Sequence, residues 1–123
     1  MRNILMIDDE ERVARQYKKF LEQKGYRVIL AKSAQEGTRE MIREQKIDLI
    51  LLDINMNEVD GCYMRDVIRE YDDRLRVMVF SVYPLDEQRR MIPNAEAYFD
   101  KADSVDVFLE KVSKLLDDEG PSG

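Results

Sequence analysis

The sequence contains no histidine and no tryptophan, and it has a single cysteine among its 123 residues. With Cys62 alone, an internal disulfide is excluded, and without histidine a structural zinc site lacks its usual ligands. A lone thiol is typical of a reducing compartment, so we expect the protein to lie in the cytoplasm. Apolar runs of the ~18 residues that a membrane-spanning helix needs are also missing, so we expect no membrane insertion.

Positive charge is in deficit, with 20 Lys and Arg against 26 Asp and Glu, which gives a formal net charge of −6. The basic residues are scattered, and no run of adjacent basic residues is longer than a pair such as Arg89-Arg90. Proteins that bind nucleic acid through their surface charge concentrate basic residues on one face. We therefore expect no direct binding of nucleic acid by this domain.

Five short apolar runs alternate with helical patterns along the chain, at residues 4–7, 28–31, 49–52, 77–80 and 97–99. Unbroken apolarity, rather than strict alternation with polar residues, is typical of strands that are covered on both faces of a parallel sheet. Right-handed crossovers would place helices on both faces. The sequence therefore predicts an α/β fold, (βα)5, with a doubly wound five-stranded parallel sheet.

Helix signals fall between these runs. One apolar stripe stops at Gly25, and Ser33 with Glu36 forms a capping box that opens a second helix. A strong final helix over 105–116 has Asp103 or Ser104 as its expected cap. The fourth helix, at 85–91, is predicted to be short or irregular.

Pro93 cuts off that fourth helix, and Asn94 is expected to adopt a left-handed conformation. The length of the chain suits one compact domain. We assign residues 1–118 to it and expect residues 119–123 to form a flexible tail or the remnant of a linker.

Polar residues follow four of the five runs at the point where each predicted strand ends. Asp8 and Asp9 follow the first run, Asp53 follows the third, Ser81 closes the fourth and Lys101 follows the fifth. The carboxyl ends of parallel strands meet at one edge of a doubly wound sheet, where ligands bind. Residues that are far apart in sequence are therefore expected to form one cluster.

Three carboxylates in one cluster repel each other, and a hard divalent cation relieves that repulsion. Mg²⁺ prefers oxygen ligands and binds through one or two carboxylates together with a phosphate. Lys101 and Ser81 could hold oxygens of a phosphoryl group, and a carboxylate can act as the nucleophile that forms an aspartyl phosphate. The pattern favours a Mg²⁺-dependent phosphoryl site.

Taken in order, these pieces resemble the receiver domain of two-component response regulators, the CheY-like superfamily. The resemblance covers roughly residues 1–116 and rests on ILMIDDE at 4–10, LILLDINM at 49–56, Asp60-Gly61, Phe80-Ser81 and AYFDK at 97–101. It implies a flavodoxin-like fold. It also implies a phosphorylation-controlled module that receives its phosphoryl group from a histidine kinase or a phosphotransfer protein and then switches conformation.

The resemblance further implies a role for each site residue. Asp53 would be the phosphoacceptor, Asp9 a direct Mg²⁺ ligand and Asp8 a ligand through water, and the backbone carbonyl of Asn55 would complete the metal site. Lys101 would contact the phosphoryl group. The conformational switch would consist of Ser81, which moves toward the phosphate, and Tyr98, which rotates inward as Ser81 vacates space.

Several positions depart from the family pattern. Asn57 stands where proline is common, Val82 where a small residue is usual, and Ala102 where proline usually follows the lysine. The spacing from Ser81 to Lys101 is also about two residues short, which puts the usual pairing surface around the fourth helix in doubt. We predict that the ring of Tyr83 shields the acyl phosphate from water.

Three functions remain open at this point. The chain is a phosphoacceptor receiver, a receiver-like interaction module that signals without phosphorylation, or a Mg²⁺-dependent phosphohydrolase. The last is disfavoured. Its haloacid-dehalogenase-like version needs a nucleophilic aspartate on the first strand with a second acid two residues on, where this chain has Asp8 followed by Asp9 and Glu10, and it needs an extra cap domain, which we expect to be absent. We expect no enzyme activity beyond self-catalysed phosphotransfer and dephosphorylation. An effector domain, a partner protein or a homodimer would complete the signalling unit.

Overall fold

A computed structural model describes residues 1–44, 46–54 and 61–117, without the side chains of residues 61, 62 and 117. Within these residues, strands and helices alternate strictly. The elements are β1 (Asn3–Ile7), α1 (Glu11–Gln23), β2 (Arg27–Ala31), α2 (Ala34–Glu44), β3 (Leu49–Leu52), α3 (Gly61–Tyr71), β4 (Arg76–Ser81), α4 (Leu85–Met91), β5 (Ala97–Asp100) and α5 (Val105–Asp117). This order confirms the predicted (βα)5 arrangement.

The five strands form one sheet in the order β2-β1-β3-β4-β5, and every neighbouring pair is parallel. The chain runs outward from β1 to β2 and then crosses back to continue on the other side with β3. The strand order therefore reverses between β1 and β3, which is where doubly wound sheets bind ligands. The predicted doubly wound, flavodoxin-like sheet is confirmed.

Two apolar clusters cover the two faces of the sheet. One contains buried residues of β1, β3 and β4 together with residues of α2 and α3, and the other contains alternate strand residues with residues of α1 and α5. The apolar runs of β3 and β4 are fully buried, as their unbroken apolarity predicts. Gly37 lets α2 approach β1 closely, because a Cβ atom there would lie 2.6 Å from Cδ1 of Ile7.

The predicted helix ends are largely confirmed. The Ser33 hydroxyl accepts the Glu36 N–H at 3.0 Å, and the Glu36 carboxylate accepts the N–H of Lys32, one residue before the position that the capping box predicts. Ser104, and not Asp103, caps α5 by accepting the N–H of Val107 at 3.3 Å. Gly25 follows α1 with φ of +94°, a conformation that favours glycine.

The fourth helix is as short as predicted, with seven residues. Asn94 has φ of +73°, which confirms the left-handed residue expected after Pro93. Two arginines of α3, one turn apart, hold this segment: Arg65 donates to the Pro93 carbonyl at 2.5 Å and Arg69 to the Asn94 carbonyl at 3.0 Å. The end of α4 is therefore tied to α3 by charge-assisted hydrogen bonds.

Several predictions concern residues outside the described ranges or outside the described side chains. They are the Asn55 carbonyl, the effect of Asn57, the side chain of Cys62 and the tail at 119–123. Gly61 is described as the first residue of α3. Across the described ranges, each helix is too short or too polar to cross a bilayer.

Candidate functional site

The backbone brings Asp8 and Asp53 to the same edge of the sheet. The register pairs Ile7 of β1 with Leu52 of β3, so the residues that follow these strands lie side by side. The N–H of Asp53 donates to the Ile7 carbonyl at 3.0 Å, and the N–H of Asp8 donates to the Ala31 carbonyl at 2.9 Å. Both aspartates are therefore fixed by continued sheet hydrogen bonding at the reversal of strand order.

The side chains of Asp8, Asp9 and Asp53 form the predicted acidic cluster. One carboxylate oxygen from each lies within 4.8 Å of the others. Asp8 and Asp53 are each only 2% exposed, whereas Asp9 is exposed. The cluster is therefore a recess with two buried carboxylates and one at its mouth.

Lys101 joins the two buried carboxylates. Its Nζ lies 3.0 Å from Oδ2 of Asp8 and 3.4 Å from Oδ2 of Asp53. Its side chain is only 9% exposed, so these interactions are poorly screened by water. The residues that we predicted to gather from four strand ends include this lysine, and the structure places it against both acids.

Among the described residues, the formal charges in the recess do not balance. Three carboxylates formally carry three negative charges, and the ammonium group of Lys101 supplies one positive charge. Buried carboxylates are strongly destabilising unless nearby groups neutralise them. The arrangement therefore favours an additional cation beside the lysine.

The donor set suits a hard divalent cation. The ligand atoms that the cluster offers are all carboxylate oxygens, which Mg²⁺ and Ca²⁺ prefer over the nitrogen and sulfur ligands of zinc sites. Asp8 is held by Lys101 and also accepts the N–H of Glu10 at 2.9 Å, whereas Asp9 is open to water. The residues present therefore fit a magnesium site in which Asp9 is the more accessible ligand.

Lys101 is fixed by contacts beyond its salt bridges. Its backbone N–H donates to the Ser81 carbonyl at 2.8 Å, and its Nζ lies 4.5 Å from the centroid of the Phe80 ring. The N–H of Ala102 donates to the Asp100 carboxylate at 2.8 Å, which orders the turn without a proline. Cis peptide bonds are absent from the described residues. Sequence reasoning missed the contact with Phe80.

Ser81 ends β4 next to Lys101 and is completely buried. Its hydroxyl oxygen accepts the N–H of Tyr83 at 3.2 Å, which tightens the start of the loop between β4 and α4. Val82, between them, is 62% exposed, and the ring of Tyr83 packs partly against the core. The predicted roles of Ser81 and Tyr83 toward a phosphoryl group stay predictions.

Tyr98 belongs to β5, and its side chain points inside the molecule toward the end of α4. Its hydroxyl donates to the Ile92 carbonyl at 2.6 Å and accepts the N–H of Ala95 at 3.1 Å. The guanidinium carbon of Arg89 lies 5.3 Å from the centroid of the ring. In this structure the side chain that we predict to rotate inward is already 91% buried, and its predicted movement stays a prediction.

Tyr17 links the recess to the aromatic core. Its ring packs edge-on against the Phe80 ring, with centroids 5.8 Å apart. It packs in a tilted arrangement against the Phe108 ring, with centroids 4.7 Å apart. Burial raises the pKa of the Tyr17 phenol, the negative charge of Asp8 raises it further, and the positive charge of Lys101 lowers it. The sequence pattern alone does not indicate that Tyr17 lies near the charges of the site.

Comparison with known proteins agrees with this geometry. DivK of Brucella anthropi, a polar-differentiation response regulator, is 28% identical over 121 residues, which are 95% of this chain and 98% of DivK. The response regulator TrrA of Thermotoga maritima, solved in complex with Mg²⁺-BeF, has a TM-score of 0.84 at 28% identity. The aligned region covers 94% of this chain and 100% of the TrrA chain.

A third similar protein is a CheY-like response regulator receiver domain from Methanospirillum hungatei JF-1. Its TM-score is 0.87 at 26% identity, with 100% of this chain and 99% of that chain covered. Residues 4–113 match the family described as the response regulator receiver domain. The match includes all five strands and the acidic recess with its lysine, and the chain therefore belongs to the response regulator receiver domain family.

Proposed function

We propose that this receiver domain takes a phosphoryl group onto the Asp53 carboxylate with the help of Mg²⁺. The observation that carries this proposal is the contact of Lys101 with two buried carboxylates, Asp8 and Asp53, beside the exposed carboxylate of Asp9. A salt bridge with a purely structural role needs only one carboxylate for one lysine. Two buried carboxylates beside a single lysine could instead bind a divalent ion and, with the lysine, a phosphoryl group.

In this proposal, a carboxylate oxygen of Asp53 attacks the phosphorus of a phosphohistidine on a kinase or phosphotransfer protein. An O–P bond forms to Asp53 and the N–P bond breaks, and its electron pair stays on the imidazole nitrogen. When bound, Mg²⁺ would offset the negative charge of the phosphoryl oxygens. Lys101 would hold one of these oxygens in place of its present contact with Asp53.

The remaining residues would convert phosphorylation into a change of shape. The Ser81 hydroxyl would turn from the N–H of Tyr83 toward the phosphoryl group, and the loop between β4 and α4 would follow it. The phosphate contacts would stabilise one of two conformations and so shift their populations. A kinase or phosphotransfer protein would supply the phosphoryl group, and an effector domain or partner protein would respond to the change in these populations.

Two similarities support the proposal. The solved complex of TrrA contains Mg²⁺-BeF, and a beryllofluoride group mimics a phosphoryl group on a carboxylate. DivK, which matches over nearly its whole length, is itself named a response regulator. We propose that the domain works in the cytoplasm and catalyses only its own phosphorylation and dephosphorylation.

The test is incubation with acetyl phosphate and Mg²⁺, followed by intact mass measurement. The wild type should gain one phosphoryl group, and Asp53→Asn should gain none. Asp73→Asn is the matched control, because this exposed aspartate lies just before β4, at the opposite edge of the sheet. Loss of the mass gain in both variants, or in neither, would contradict the proposal.

The short α4 and the exposed Val82 are the features that favour a module working without phosphate. Beryllofluoride separates the two functions. A phosphoacceptor should show chemical shift changes around Ser81 and Lys101 when beryllofluoride is added to the Mg²⁺-loaded protein. A spectrum that stays unchanged would favour the phosphate-independent function.

A further inference from the structure

Gln88 is a polar side chain that lies completely buried in the short helix α4. Its Nε2 atom lies 2.7 Å from the Tyr83 carbonyl oxygen, 2.9 Å from the Phe99 carbonyl oxygen and 3.4 Å from the Ser81 carbonyl oxygen. Glutamine is among the residues that are mostly exposed in folded proteins. The two N–H groups of one amide therefore face three backbone carbonyls from two separate segments of the chain, and the contact with Ser81 is the longest.

The orientation of this amide follows from its surroundings. Three carbonyl oxygens converge on one atom, and only the NH₂ group can donate to them, since the amide oxygen would be repelled. The Oε1 atom then points away and has no hydrogen-bond partner among the described residues. A buried acceptor without a partner is destabilising, so packing alone does not account for glutamine here.

The three carbonyls belong to the segments that deliver two site residues. Ser81 and Tyr83 border the start of the loop after β4, and Phe99 lies in β5, two residues before Lys101. The Ser81 carbonyl also accepts the backbone N–H of Lys101 at 2.8 Å. Gln88 thus ties together the backbone that carries Ser81 and the backbone that carries Lys101.

The metal-binding acids are held in a different way. Asp8 and Asp53 follow β1 and β3, and their backbone N–H groups bond to Ala31 and Ile7. The hydrogen bonds of Gln88 go to the β4 and β5 side of the recess. A change at Gln88 therefore acts first on the backbone that carries Ser81 and Lys101, while the backbone hydrogen bonds that place Asp8 and Asp53 remain.

We propose that Gln88 is a positioning residue for phosphoryl transfer, which fixes Ser81 and Lys101 relative to Asp53 through its three carbonyl contacts. This inference rests on the proposed function. It makes α4 part of the machinery of the site, because a movement of Ser81 toward a phosphoryl group pulls on the amide that joins α4 to the loop. Gln88 thereby transmits the state of the site to α4.

The test uses Gln88→Met, which keeps the length of the side chain and removes the amide. The rate of phosphorylation by acetyl phosphate and the dissociation constant for Mg²⁺, from isothermal titration calorimetry, are measured for each protein. Arg90→Met introduces methionine at an exposed position of α4 and controls for the new side chain. Val112→Ala lowers the stability of the core on the other face of the sheet and controls for a general loss of stability.

We expect the phosphorylation rate of Gln88→Met to fall about tenfold while its Mg²⁺ affinity stays that of the wild type. Both controls should keep the wild-type rate. An unchanged rate in Gln88→Met, or a parallel loss of Mg²⁺ affinity, overturns the inference. A wild type that takes up no phosphoryl group overturns the proposed function as well, so the two failures are distinguishable.

A measurement on the wild type does not depend on the folding of any variant. The side-chain amide of Gln88 should exchange slowly with solvent, and its NMR signals should move when beryllofluoride is added to the Mg²⁺-loaded protein. If these signals stay in place while those of Ser81 and Lys101 move, Gln88 does not follow the site and the inference is wrong.

Discussion

The Tyr98 hydroxyl donates a 2.6 Å hydrogen bond to the carbonyl oxygen of Ile92, the residue that directly follows α4. The same hydroxyl accepts the N–H of Ala95, so one side chain of β5 bonds to both ends of the turn between α4 and β5. A tyrosine on the last strand therefore has a structural task in this chain that is visible without any phosphoryl group.

Replacing Tyr98 with Phe should destabilise the protein by about 1–2 kcal/mol, because a buried carbonyl and an N–H lose their shared partner. Urea unfolding of the purified domain measures this free energy. Tyr63→Phe is the control, since Tyr63 is 61% exposed and the same change there should cost less than about 0.5 kcal/mol. Equal stability of the two variants would mean that the Tyr98 hydroxyl does not hold the turn.

Lys101→Met should strongly destabilise the domain in the absence of divalent ions, by about 3 kcal/mol, because it removes the ammonium group that contacts the buried carboxylates of Asp8 and Asp53. Millimolar Mg²⁺ should restore part of this loss, since an ion that binds only the folded state stabilises it. Thermal unfolding with Mg²⁺ and with a chelator measures both effects.

The matched control for this substitution is Lys114→Met, at an exposed position of α5. It should change the stability little, and Mg²⁺ should stabilise it as much as it stabilises the wild type. A Lys101→Met protein as stable as this control in chelator would show that the lysine does not neutralise the recess.

Tyr83→Ala should shorten the half-life of the phosphorylated protein several-fold, because its partly buried ring lies next to the loop that begins at Ser81. The substitution keeps the backbone N–H that bonds to the Ser81 hydroxyl, so that contact is not removed with the ring. Loss of phosphate is followed by intact mass, with Tyr71→Ala on the exposed side of α3 as control. A half-life equal to that of the control would refute the shielding role.

The pKa of Tyr17 gives a prediction at alkaline pH. Burial, the largest cause, raises the pKa of the folded state above the value of about 10 that the unfolded chain has, so folding favours the neutral phenol. This contribution to stability is complete below pH ~10 and is lost as the pH rises through the folded pKa. The stability of Tyr17→Phe should consequently fall less steeply between about pH 9.5 and 11.

Urea unfolding at several alkaline pH values checks this slope. Tyr63→Phe, at an exposed position, again serves as the control for the loss of one hydroxyl group. If Tyr17→Phe keeps the wild-type slope, the charges and burial around Tyr17 do not shift its titration.

The strand ends could be predicted from sequence because each one combines a covered apolar run with a polar residue that has no place in a core. Asp8 and Asp53 follow such runs directly, Lys101 follows one after a single residue, and parallel pairing alone brings them to one edge. The short fourth helix was equally readable, since Pro93 sets its limit.

Contacts that depend on how helices sit against the sheet could not be predicted. The sequence pattern predicts that Gln88 is an ordinary surface residue of a polar helix. Its side chain is buried because of the position of α4 against β5. The cation–π contact of Lys101 with Phe80 likewise joins two residues whose sequence pattern indicates only core and site. Sequence patterns report periodicity and strand ends, whereas these contacts depend on packing between elements.

The central claim is that the carboxylates of Asp8, Asp9 and Asp53 hold a divalent ion that makes Asp53 reactive. The most direct test is the rate of phosphorylation by acetyl phosphate as a function of Mg²⁺ concentration, beside Mg²⁺ binding measured by calorimetry on the same protein. We expect no reaction in chelator, and a rate that rises with Mg²⁺ with the same midpoint as binding. A rate that persists in chelator, or that ignores the occupancy of the Mg²⁺ site, would contradict the claim.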